Sequence, residues 1–149
     1  MSGASQIKNM KRLHELLSQN LGYIFGERES GPNGAKKQFL STGRAFLSAL
    51  GRDLGFSEQT VSVNKAGIAV SGDVTLMGMW GPSNGLYVVL EQDLPYKTCM
   101  MYRGIRHMKD YRGGENRFIP LSEMGRAGYN GLLAGLLAMK EAGDGRKTA

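Results

Sequence analysis

The chain has one cysteine, Cys99, in 149 residues, and that excludes an internal disulfide framework. Cys99 reads as a small apolar strand residue. Long hydrophobic runs are missing too. Leu132 to Met139 is apolar but far short of the ~18 residues that cross a membrane. Met1 to Ser5 shows no charged segment leading into an apolar one, so no secretory signal is expected and a cytoplasmic location is. No stretch repeats, and no composition shift marks a second domain. A single domain over residues 1–149 is expected, with a frayed tail over 143–149.

Glycine, by contrast, is abundant: 22 residues, about twice the usual share. Most glycines stand between apolar runs or at periodic positions, which marks turns and close contacts. The net charge is +6 and the isoelectric point is near 9.6, which favours anionic partners.

The apolar period is helical at both ends of the chain and two-residue in the middle. Ile7, Met10, Leu13, Leu17, Leu21 and Ile24 predict a first helix over about 5–25, with Ser5 as N-cap. Residues 26–34 read as a loop. Phe39, Phe46, Leu47, Leu50 and Leu54 predict a second helix over 35–54, with Gly55 as its stop. Lys37 and Arg44 fall on that helix's solvated face. Strands are expected at 60–63, 68–80, 86–91 and 98–105, with a hairpin turn at 81–85. Ser122 can cap a last helix over about 122–142.

The expected fold is therefore α+β: a four-stranded antiparallel meander with two N-terminal helices and one C-terminal helix packed on it. Val70, Val74, Leu76, Trp80, Phe46 and Leu50 should form its core. This helix–meander–helix order resembles double-stranded-RNA-binding domains in outline. The lysine cluster that opens their last helix is missing, since this helix begins Glu123-Met124-Gly125-Arg126, and no site residue carries over.

The segment Tyr102 to Phe118 is the leading functional candidate. It holds five cations, three aromatics and the pair Gly113-Gly114. Arg103 and Arg106 flank Gly104, and Arg112 and Arg117 flank the glycine pair. Arginine supplies paired donors, and glycine lets backbone N–H groups approach an anion. The spacing is neither a P-loop nor a dinucleotide fingerprint. Tyr102, Arg103, Arg106, His107, Tyr111, Arg112, Gly113, Gly114 and Arg117 are the expected ligand-binding residues, with Tyr102 or Tyr111 stacking on a base.

Three further constellations stand beside it. Ser71, Thr75, Tyr87 and Tyr102 would make the sheet's second face a stacking platform. His107 with Asp110 and Glu115 would suit acid–base or metal-dependent hydrolysis, although the spacing matches no metal or catalytic motif. His14 reads as a surface residue. Gly125, Gly128, Gly131 and Gly135 lie on one stripe of the last helix, which packs on the sheet or forms a homodimer seam.

The expectation is a small, basic, non-enzymatic protein that needs no metal or cofactor and recognises nucleic acid or a nucleotide through residues 102–118. The rivals are an inhibitor of phage or plasmid type that docks on an acidic protein surface, and a metal-dependent nuclease or hydrolase using His107.

Overall fold

A computed structural model describes residues 2–18, 35–64, 73–93, 97–110 and 114–142. The order is α1 (Ser2–Ser18), α2 (Ala35–Leu54), β1 (Glu58–Asn64), β2 (Asp73–Gly81), β3 (Asn84–Asp93), β4 (Lys97–Ile105), β5 (Arg117–Pro120) and α3 (Leu121–Ala142). The strands form one antiparallel meander in the order β1-β2-β3-β4-β5. The class is α+β with three helices, as the periodicities predict, but the sheet has five strands rather than four. The fifth begins at Arg117, within the cation-rich segment, and runs to Pro120, where no strand was expected. Four residues ending in a proline are too few for alternation to show against the surrounding charges.

Partners in the register share a face of the sheet, so each strand's side chains divide cleanly. Val61, Leu76, Val88 and Tyr102 form one inward row. Val63, Val74, Leu90, Met100 and Ile119 form the next. These rows meet Phe39, Phe46, Leu47, Leu50, Tyr129, Leu132 and Leu136 in one apolar cluster. α2 lies over β1 and β2, α3 lies against β3 to β5, and α1 packs on both helices. Val74, Leu76, Phe46 and Leu50 are completely buried, as expected. Trp80 is half-buried at the sheet's end. Its ring sits 5.0 Å from that of Phe56, and its indole N–H donates to the Leu54 carbonyl at 2.8 Å. Val70 lies outside the described residues.

Glycine sets how closely the layers approach. Gly43 of α2 faces Val74, where an added Cβ would stand 3.0 Å from a methyl group. At Gly78 the Phe56 ring occupies the space of a side chain, with its nearest carbon 2.0 Å from the Cβ position. Gly55 takes φ +79° and its N–H closes on the Arg52 carbonyl, so it does end α2.

Three local expectations are corrected. α1 begins at Ser2, so Ser5 lies within the helix and is not its cap. Its buried stripe keeps Met10 and Leu13, as expected, but its first position is Gln6, completely buried, while Ile7 is 60% exposed. The Gln6 amide donates to the Phe46 carbonyl at 2.8 Å and accepts from Asn9. A polar side chain thus takes the inward position because it finds partners there. Ser122 is likewise no cap, since α3 starts at Leu121, directly after Pro120. Within α3, Gly128 breaks the helix with φ 72° and ψ 173°. The expected end of α1 near 25, the 26–34 loop and the 143–149 tail lie outside the described residues.

Candidate nucleic-acid interface

β4 ends at Ile105 and β5 begins at Arg117, so residues 106–116 join two neighbouring strands at one end of the sheet. The first part is an ordered turn. The Asp110 N–H donates to the His107 carbonyl at 3.1 Å, and the Asp110 carboxylate accepts from the Arg106 backbone N–H at 2.9 Å. An aspartate that bonds a backbone N–H of its own turn fixes that turn locally. Arg103, standing on the outer face of β4, donates to the Asp110 carbonyl at 3.0 Å. The turn therefore folds back over that face. Met79, Ile105 and Val89 are buried there without belonging to the helix-side cluster.

This arrangement divides the expected ligand-binding residues. Arg103 is 7% exposed, and its guanidinium lies 4.4 Å from the centre of the Tyr87 ring. It is held by the fold on one side and by the aromatic on the other. Tyr102 pairs with Val88 and Arg117 on the inward side and packs half-buried against the core, so it is not part of the sheet's outer face. Alternation along β4 separates it from Arg103. The Gly114 N–H is already committed to the Gly104 carbonyl at 2.9 Å. Arg106, His107, Lys109 and Arg117 are exposed. Tyr111, Arg112 and Gly113 lie outside the described residues, as does Ser71 of the expected platform.

The arrangement of His107 with Asp110 and Glu115 is unfavourable to joint chemistry. Asp110 is 5% exposed and bonded to the Arg106 N–H, whereas His107 and Glu115 face outward. Among the described residues, no group of three His, Cys, Asp or Glu side chains is placed to hold a metal ion. His14 is exposed on α1, as expected.

The outer face itself carries two central rows. One is Thr60, Met77, Tyr87 and Arg103. The other is Ser62, Thr75, Val89, Met101 and Phe118. Phe118, at the β5 edge, is 60% exposed. It was counted among the segment's aromatics but missed as a site residue. The signal is local: in Arg117-Phe118-Ile119, a buried Ile119 side implies an outward Phe118.

At the far end of this face, burial pushes the Asp73 carboxyl above its ordinary range, partly offset by a hydrogen bond from Asn64. No helix among the described residues is long and apolar enough to cross a membrane. No protein-family model matches the chain, and no curated protein or solved structure matches it either.

Proposed function

We propose that this protein binds a phosphate-bearing ligand, nucleic acid or nucleotide, through the segment 102–118, and performs no chemistry on it. The observation that carries the reading is the orientation of charge on the ordered turn. Asp110 is turned inward and buried, while Arg106, His107 and Lys109 are exposed around it and Arg117 is exposed where β5 begins, on the helix-side face. Cations presented on a preformed scaffold bind an anion without first ordering the chain. The net charge of +6 adds a favourable long-range field.

The test is titration with RNA, DNA and mononucleotides at two salt concentrations. Affinity for a single strand should fall with log salt by about 0.7 per phosphate contacted. Arg106→Ala and Arg117→Ala should each weaken binding by about tenfold. Lys109→Ala should matter less, because lysine presents a point charge rather than a fork.

The protein-binding inhibitor draws on a different observation, the exposed Phe118 ring, which suits an apolar contact on an acidic partner. It takes over if no nucleic acid or nucleotide binds more tightly than roughly millimolar at low salt.

A further inference from the structure

The phosphate reading rests on cations. The outer sheet face beside them offers something cations alone do not. Its two central rows contain no carboxylate; the nearest acids in the register are Glu58 at one end and the paired positions Asp73 and Glu91 at the other. The helix-side cluster draws on the opposite face of the sheet. Phe118 presents a largely exposed ring at the edge, and Tyr87 stands two strands inward. From strand spacing and rise per residue, the two positions lie about 12 Å apart. The buried Arg103 guanidinium holds the Tyr87 ring in one orientation. Such a contact needs little further ordering when a flat ligand arrives.

We infer that the ligand is single-stranded nucleic acid. One base stacks on Phe118, another lies against Tyr87, and the exposed Arg106 and Lys109 hold the phosphates beside them. This deepens the phosphate reading and rests on it. A duplex keeps its base faces inside its own stack, so only an unpaired strand can offer them to the sheet. One mononucleotide reaches one ring, not both, at that separation. An acidic protein surface would satisfy the cations but has no general need of two spaced rings. Two central rows without carboxylate, with cations at one end, are complementary to a polyanion that also carries aromatic faces.

Fluorescence anisotropy decides the matter with three probes at one salt concentration: an oligothymidylate of about eight nucleotides, an abasic strand of the same length, and a duplex with the same number of phosphates. The oligothymidylate should bind about tenfold or more tightly than either of the others. Phe118→Ala should remove most of that difference and Phe118→Trp should keep it, while Arg106→Ala should weaken all three probes alike. Thermal melts should show Phe118→Ala folded, since the ring is 60% exposed. Equal binding of the three probes, or an unchanged preference in Phe118→Ala, overturns the stacking inference and leaves the phosphate reading standing. Failure of all three probes to bind removes both.

Discussion

Gly78 and Gly135 have the same side chain and opposite surroundings. At Gly78 a Cβ would enter the Phe56 ring; at Gly135 it would meet nothing within 4 Å. Gly78→Ala should therefore displace Phe56, and with it the Trp80 contact, at a cost of about 1–3 kcal/mol. Gly135→Ala should stabilise α3 by up to about 1 kcal/mol, because alanine is the better helix former and nothing obstructs it. Chemical denaturation of both variants checks the pair. Equal effects would mean that helix propensity, not contact, governs both sites. The abundance of glycine was visible in the sequence, but not which glycine is crowded, since Phe56 lies 22 positions from Gly78 in the chain. Alternation was more informative for Leu76, where the inward side was legible and the residue is completely buried. Leu76→Ala should cost about 2–5 kcal/mol, and a loss under roughly 0.5 kcal/mol would contradict that burial.

Elements with a long, uninterrupted period were legible in the sequence, and short or polar exceptions were not. α2 runs over the expected residues because five apolar positions and a terminal glycine agree. In α1 Met10 and Leu13 were read correctly but Ile7 was not, because Gln6 is inward through hydrogen bonds that no hydropathy pattern records. β5 was lost among charges. The same limit affected the site: the cation-rich segment was recognised, but its division into anchors and outward groups follows from Asp110 and the register of β4. Arg103→Ala should accordingly lower stability by about 1–3 kcal/mol, since it removes a buried charged donor and leaves the Asp110 carbonyl without it. Arg106→Ala, at an exposed side chain, should stay within about 0.5 kcal/mol of the wild type. Comparable losses in both variants would place the two side chains in the same structural role. Gly128 breaks α3, so the expected glycine stripe survives only at Gly131 and Gly135, and this remnant is exposed and does not serve packing on the sheet. If it seats a second copy, Gly131→Leu should convert a dimer to a monomer in light scattering. A wild type already monomeric at high concentration ends that reading.

At the scale of the whole molecule, the three helices are joined by polar contacts as well as by the apolar cluster. Gln6 of α1 bonds the Phe46 carbonyl of α2. Arg12 of α1 bonds Gln38 of α2. The Tyr129 hydroxyl of α3 donates to the Asp53 carboxylate of α2, and Gln6 also hydrogen-bonds Tyr129. Tyr129 is 4% exposed, and its ring meets Phe46 edge to face at 6.2 Å. Burial, and then the Asp53 carboxylate, push its hydroxyl well above the ordinary tyrosine range. A phenol whose folded pKa is raised contributes stability that is fully present below its unfolded value near 10. Above that value the unfolded chain ionises first, and the contribution declines by up to about 1.4 kcal/mol per pH unit. Tyr129→Phe cannot ionise, so it isolates the effect from the other tyrosines, which behave alike in both proteins. At neutral pH the variant should be less stable by about 1–3 kcal/mol, having lost the bond and left a carboxylate without its donor. That deficit should shrink as the pH rises above 10, because only the wild type loses the Tyr129 contribution. Urea unfolding of the two proteins across pH 7 to 11 measures it. A deficit that stays constant across the range would mean that Tyr129 titrates alike in the folded and unfolded chains, and that Asp53 does not hold its proton.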